Sequence, residues 1–371
     1  MESAVFIVAG FGGLASALRL AARGVHTTVV DRLSMPGGRA VEFSREHSNQ
    51  TFRYDAGPTV LTAPILFEEL FQLFGERLED HVELMPVTPW YQMKFIDGST
   101  FNYGGSTEEI QAEIAKFSAN DALAYPAFLA HSKKLFDKGY EELGTQAFLG
   151  WGSMIKAMPA MMRLRADRSV YALTAKYFKH ESIRRAFSIQ PLLVGGNPFD
   201  TTSIYGLIHY LERAHGVHFA MGGTAAITNA LGALMNRHGI DVQLNTTVHR
   251  ISVVAGVATG ITLDNGSSIE ADVIVSNADP AHLYASMIPP GQQAPSARLK
   301  LAAAEFSMGL FVLYFGTTRQ YPDVAHHTIW LGERYRELLA DIFHDKILSE
   351  DFSPYLHRPC LLSPFDRAGR S

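Results

Sequence analysis

The stretch Ile7-Val8-Ala9-Gly10-Phe11-Gly12-Gly13 constrains this chain more than any other. Ahead of it, Ala4 to Ala9 is a short apolar run that reads as a buried parallel strand. Behind it, Leu14 to Arg23 is rich in Ala and Leu and predicts a helix, with Gly24 just past its end as a stop. His26 to Val30 reads as a second strand, closed by Asp31. A strand, a glycine turn, a helix and a second strand in about thirty residues form one strand-helix-strand unit. A dinucleotide cradle asks for Gly-x-Gly-x-x-Gly in that turn and an acid about twenty residues on. Gly10 takes the second glycine position and Gly13 the third, and Asp31 lies 21 residues after Gly10. The second glycine admits a pyrophosphate, the third lets the helix pack close, and the helix N-terminus offers free N–H groups to the phosphates. Asp31 is placed to accept hydrogen bonds from a ribose. Val8 stands where the first glycine is expected. Held in a glycine-only conformation it would cost about 1–3 kcal/mol. At this level the alternative is a purely structural glycine turn.

The rest of the chain bounds the fold. A length of 371 residues favours two lobes over one core. Hydrophobic residues at 47% and charged residues at 19% describe a globular protein, and a net charge of -5 gives no electrostatic reason to expect nucleic acid. Cys360 is the only cysteine, so no disulfide can form within the chain and a reducing, cytoplasmic compartment fits. Met1-Glu2-Ser3 brings no basic region before the apolar run, which argues against a secretory signal. Phe306 to Gly316 is the most apolar window; it is too short to span a bilayer and reads as a buried strand.

Further elements follow from periodicity and turn residues. Pro64 to Phe74 predicts a helix, and Val82 to Phe95 and Thr100 to Tyr103 predict strands about an Asp97-Gly98 turn. Ser106 to about Arg213 is mostly helical in pattern. Gly222-Gly223 opens a helix from Thr224 to His238. Short strands are expected at Val242 to Leu244, Val248 to Val253, Ala258 to Leu263 and Val273 to Ser276. The expected fold is α/β: a Rossmann-type cofactor domain interleaved with a mixed-sheet and helical substrate domain. The boundaries are 1–80 and 219–280 for the cofactor domain, 81–218 and 281–360 for the substrate domain, and 361–371 for an unrelated tail.

Pro36-Gly37-Gly38-Arg39 follows Asp31 by a few residues. This arrangement resembles the superfamily of amine oxidases and carotenoid desaturases, in which the loop bends over the FAD pyrophosphate and the arginine pairs with it through two N–H donors. Six longer stretches are similar to bacterial phytoene desaturases: Phe52 to Pro64, Val82 to Tyr91, Leu192 to Glu212, Ser276 to Pro280, Leu310 to Gly316 and His326 to Phe343. The likeness runs from about residue 4 to about Cys360 and is nearest to the type that carries phytoene through to lycopene.

The resemblance implies FAD and desaturation by hydride transfer to the flavin with loss of a proton from the neighbouring carbon, the flavin being reoxidised by a quinone or oxygen. The cofactor residues it implies are Val8, Ala9, Gly10, Phe11, Gly12, Gly13, Asp31, Arg32, Gly37, Gly38, Arg39, Asp55, Gly57, Pro58 and Val248. Asp55 to Pro58 would lie near the flavin ring, and the Val248 backbone would meet the adenine edge. No catalytic base is assigned; Asp55 is the one carboxylate the likeness places near the flavin.

Phytoene and its partly desaturated products have no polar atoms, so their site must be an apolar tunnel that opens to a membrane. Phe148, Trp151, Ile155, Met158 and Met162 recur at helical spacing, with Lys156, Arg163, Arg165 and Arg168 among and after them. That pattern fits a monotopic anchor on the inner face of the cell membrane and also fits a core helix with a charged side. Pro159 should kink or divide this helix. His326-His327 suggest a metal only weakly: on a strand they point to opposite faces, and no metal is expected.

Three departures from the family stand out. Val8 replaces a glycine, Ala220 stands where a proline is usual before Gly222-Gly223, and the likeness stops after Cys360. The last departure predicts a truncated or frame-shifted reading. The readings to separate are a desaturase, a flavin amine oxidase, and a degenerate fragment without catalysis.

Overall fold

The computed structural model describes residues 2–144, 146, 151–289, 291–319 and 321–359, with the backbone alone described at 151, 153, 154 and 156. Phe148, Cys360 and Leu361 to Ser371 fall outside the described residues, as do the side chains of Trp151 and Lys156. The described residues divide into two compact units, each built from two stretches: residues 2–85 with 218–306, and residues 86–217 with 307–359.

The first unit is organised by a parallel sheet of order Val273–Ser276, Ser3–Ile7, His26–Val30, Asp241–Gln243. Alternation along Ser3–Ile7 sends Ala4 and Phe6 to one face and Val5 and Ile7 to the other. Ala4 and Phe6 pack with Leu14 and Leu18 of the helix Phe11–Ala21 and with Leu231, Leu234 and Met235 of the helix Thr224–Arg237. Val5 and Ile7 pack instead on Ile251, Ile261 and Leu263 of a three-stranded antiparallel sheet formed by Val248–Val254, Val257–Leu263 and Ser268–Glu270. With both faces covered, Ser3–Ile7 needs an unbroken apolar run, which the sequence supplies. Residues 281–306 group with this unit because Met287 joins the same apolar cluster. A hairpin of Glu42–His47 and Gln50–Asp55, not marked by the sequence pattern, carries the chain away from the cofactor loop.

The second unit has a mixed four-stranded sheet of order Tyr355–His357, His327–Leu331, Tyr91–Phe95, Thr100–Tyr103. The Asp97-Gly98 turn joins the last two strands as expected, with Gly98 at φ 82°. The expected strand Val82 to Phe95 is split: Leu84–Pro86 and Tyr91–Phe95 are separated by a turn with a cis Thr88-Pro89 bond. Helices Ala119–Phe136, Val170–Tyr177, Glu181–Ser188 and Leu207–His215 pack around Tyr103, Tyr125, Phe128, Phe178 and Phe187, all fully buried.

The helix Trp151–Arg163 continues past Pro159, so the proline does not divide it. One expectation fails. Phe306 to Gly316 forms no strand and is not buried: Phe306, Leu310 and Phe311 are 73%, 82% and 89% exposed. A strand is stabilised by a paired neighbour, and among the described residues this stretch pairs with none. No described helix is long and apolar enough to cross a membrane.

Candidate functional site

The glycine turn sits at the carboxyl ends of the parallel strands, the edge of an open α/β sheet where ligands bind. Val8 has φ 78°, a left-handed conformation that suits glycine. Its N–H donates to Val30 O at 2.9 Å and its side chain packs against the cluster of Val5, Ile7 and Ile251. Gly10 caps the helix Phe11–Ala21 in an extended conformation, with no side-chain cap and no acid in the first turn. Leu14 N–H makes the first return bond, to Gly10 O at 2.9 Å, so the N–H groups of Phe11, Gly12 and Gly13 have no acceptor within the helix. At Gly13 a Cβ would lie 2.1 Å from Val8 O, so only glycine lets the helix pass this close to the strand.

Asp31 is buried, and its carboxylate is held by the turn itself. Oδ2 accepts from Ala9 N–H at 2.7 Å and Oδ1 from Leu33 N–H at 2.9 Å. Each oxygen keeps a further lone pair for a ribose hydroxyl. The loop Pro36 to Arg39 lies directly on the turn: Gly37 N–H donates to Ala9 O at 2.7 Å, and a Cβ on Gly38 would stand 3.2 Å from Gly10 Cα. Arg32 and Arg39 are exposed, and neither has an ion-pair or hydrogen-bond partner among the described residues. The structure therefore brings together the residues from Val8 to Gly13 with Asp31, Gly37, Gly38 and Arg39.

Asp55 and Gly57 join this group from the next segment. A Cβ on Gly57 would meet Ala40 Cα at 2.6 Å, which wedges the Asp55 to Pro58 turn against the loop. Asp55 Oδ2 accepts from Thr224 N–H at 2.8 Å and faces its hydroxyl at 3.1 Å, and the same hydroxyl bonds Pro58 O. Asp55 thus caps the N-terminus of the helix Thr224–Arg237, where a carboxylate is favoured by the helix dipole. Burial raises its pKa, against which the N–H groups of Thr224 and Gly57 pull it down. Val248 begins a strand at the sheet edge, paired to Leu263 on one side, and packs on the same cluster as Val8.

One residue escaped the sequence reading as a site residue. Asn277 follows the strand Val273–Ser276, donates its N–H to Ile7 O at 2.9 Å, and lays its side chain over the turn: a Cβ on Gly12 would meet Asn277 Nδ2 at 2.6 Å. The available signal was its place just beyond the last parallel strand, the same edge that holds the turn. These features fit a dinucleotide cofactor: an uncapped helix N-terminus, glycines that a Cβ would obstruct, a buried acid at the strand end, and an exposed arginine, Arg39, without a partner among the described residues.

Among the described residues, two buried polar centres of the second unit bear on the site. Glu212 accepts from Tyr91 Oη and Tyr103 Oη, each at 2.9 Å, and burial pushes its pKa up to about 7. His209 bridges Tyr103 and Tyr125 through its two ring nitrogens, and burial brings its pKa down to about 3. The other centre corrects the expectation that His326 and His327 point apart. The strand begins only at His327, so alternation does not bind His326, and their rings lie 4.5 Å apart. His357 completes a group of three imidazoles.

Residues 11–348 match the family of flavin containing amine oxidoreductases. The lycopene-forming phytoene desaturase of Paracoccus sp. (strain N81106 / MBIC 01143) is 44% identical over 363 residues, covering 98% of this chain and 72% of the relative. The neurosporene-forming phytoene desaturase of Cereibacter sphaeroides is 41% identical over 368 residues, covering 98% of this chain and 70% of the relative. Among solved structures, an oxidoreductase from Methanosarcina mazei shares the fold at TM-score 0.53 and 17% identity, over 81% of this chain and 64% of that one. A putrescine oxidase bound to putrescine does so at TM-score 0.51 and 13% identity, over 81% and 63%. The fold, the glycine turn with its buried acid Asp31, and sequence identity along nearly the whole length agree: this chain belongs to the flavin containing amine oxidoreductase family and, within it, to the phytoene desaturases.

Proposed function

We propose that this chain is an FAD-dependent oxidoreductase that desaturates phytoene toward lycopene in carotenoid biosynthesis. The observation that carries the reading is the 44% identity to a lycopene-forming desaturase over 98% of the chain. The cradle supports it residue by residue. Phe11, Gly12 and Gly13 would offer N–H groups to the pyrophosphate, Asp31 would hold the ribose, and Arg39 would close over the phosphates from the loop. Val248 would present backbone groups to the adenine, and the Asp55 to Pro58 turn would lie toward the ring. FAD, when bound, supplies the hydride acceptor. The protein's own part is to align a long hydrocarbon, exclude water and take up a proton. Asp55 serves first as a helix cap in this reading.

The substrate domain is the unit that contains residues 86–217. Phytoene and its partly desaturated products would bind there through buried apolar area alone. Membrane contact, at the cytoplasmic face, would come from the helix Trp151–Arg163, on which Ile155, Met158 and Met162 are 59%, 53% and 64% exposed. Arg163, Arg165 and Arg168 lie beside that face and suit anionic headgroups. A quinone or oxygen would return the flavin to its oxidised state. Incubating the purified chain with FAD and phytoene-loaded liposomes tests the reading. Bound flavin and a red, conjugated product are expected; turnover of an amine in place of phytoene would overturn it.

A further inference from the structure

We propose that His326, His327 and His357 form a binding site for one divalent transition-metal ion that prefers imidazole ligands, of the Zn2+ class. One ligand atom from each ring lies within 4.8 Å of the other two. His326 Nδ1 and His327 Nε2 are 3.2 Å apart. Two nitrogens bound to a tetrahedral Zn2+ at about 2.0–2.1 Å stand roughly 3.3–3.4 Å apart, so this pair is already near a ligand spacing.

The backbone holds the three rings in place. His327 and His357 are directly opposite partners in the antiparallel pair His327–Leu331 and Tyr355–His357. Their side chains therefore share one face. His326 is fixed from outside the strand by its carbonyl, which accepts Arg358 N–H at 2.8 Å. The two rings of the strand pair lie nearly parallel, with centroids 5.3 Å apart, and His326 meets His357 edge-on at 4.8 Å.

Second contacts orient the ligands. His327 Nδ1 is 2.7 Å from Tyr355 Oη, which engages that nitrogen; Nε2, now hydrogen-bonded to His326 Nδ1, is the one the ion would take by replacing that bond. A metal-bound histidine regularly spends its other nitrogen in this way. His326 and His327 are 1% and 0% exposed, so the group is shielded from water.

The charges around the group are mixed. Arg358 faces His326 and opposes a cation, while its guanidinium is held on Tyr321 O. On the other side the Tyr91 ring lies against His327, and its hydroxyl leads to the carboxylate of Glu212. Three imidazoles without a carboxylate or thiolate select Zn2+, Co2+, Ni2+ or Cu2+ over Mg2+ and Ca2+, which take oxygen ligands. A three-histidine set leaves a fourth position to water or another small ligand. The site does not depend on the desaturase reading.

The test uses the full chain without a histidine tag, stripped with a chelator and titrated with Co2+. One equivalent per chain is expected, with the visible absorption of a low-coordinate Co2+ ion, and Zn2+ should displace it while Mg2+ does not. Absence of that stoichiometric absorption overturns the proposal. His357→Gln should abolish it with flavin content and far-ultraviolet circular dichroism unchanged; a folded H357Q that still binds one Co2+ places the ion elsewhere and also overturns it. Tyr355→Phe keeps all three ligands and tests the same site where loss of a ligand unfolds the chain. Its Co2+ affinity should fall about 10–100-fold, and an unchanged affinity counts against the site.

Discussion

At the scale of single residues, Val8 and Glu212 carry strain of two kinds. Val8 holds a β-branched side chain at φ 78° in the middle of the cofactor turn. That conformation costs about 1–3 kcal/mol, set against about 1 kcal/mol of extra chain entropy that a glycine loses on folding. Val8→Gly relieves that strain but gives up the packing of Val8 on Val5, Ile7 and Ile251, so it is expected to raise FAD retention with a net stability change within about 1 kcal/mol. Urea unfolding and the flavin-to-protein absorbance ratio measure the two effects, and unchanged or lower flavin retention would refute the argument. Glu212 stores electrostatic strain. Its pKa rises from the ordinary 4.5 to about 7 in the folded state, so the folded chain binds the proton more tightly than the unfolded one. Its contribution is thus fully present below pH 4.5 and is lost as pH rises through about 7. The stability of the native chain relative to Glu212→Gln should be greatest on the acid side and shrink across that window. Unfolding curves at several pH values would show it, and a pH-independent difference would contradict it. His209 works in the opposite sense, because its folded pKa of about 3 means that acid favours the unfolded chain.

At the scale of elements, much of the cofactor turn was legible because local chemistry determines it. A glycine such as Gly13, whose Cβ would strike Val8 O, leaves a spacing in the sequence that can be read directly. Asp31 was legible for the same reason, at the end of a strand a fixed distance on. Asn277 was not, because its side chain reaches the turn only through parallel pairing of Val273–Ser276 with Ser3–Ile7. The histidine group was hidden likewise: His326-His327 and His357 are joined by strand register, and the strand boundary that frees His326 from alternation is a tertiary fact. Phe306 to Gly316 misled in the other direction. Its apolar run has the composition of a buried strand, but composition does not supply a pairing partner. The helix Trp151–Arg163 yields a prediction of its own. Replacing Ile155, Met158 and Met162 together by Glu should reduce partition onto anionic liposomes at least tenfold. Three exposed side chains that no longer bury apolar area each remove roughly 1 kcal/mol or more. Flotation assays measure this, with circular dichroism as the control for folding; unchanged flotation would remove the anchor.

At the scale of the whole molecule, the exposed stretch from Phe306 to Phe315 is a large apolar surface for one chain to present to water. It should bind a hydrophobic dye and drive self-association at micromolar concentration. Leu310→Glu with Phe311→Glu is expected to lower both, as read by dye fluorescence and light scattering, and equal scattering from the two chains would exclude this stretch as the cause. The division of the chain has a further consequence, which concerns the order of its synthesis. Ser3–Ile7 hydrogen-bonds to Val273–Ser276, some 269 residues later, and Tyr91–Phe95 takes His327–Leu331 as its parallel neighbour. Neither sheet can close until those later strands have left the ribosome. The glycine turn is made long before Asn277, whose side chain lies over it. During that interval both sheets stay unfinished, so slow, long-range pairing rather than local helix formation is expected to set the folding rate.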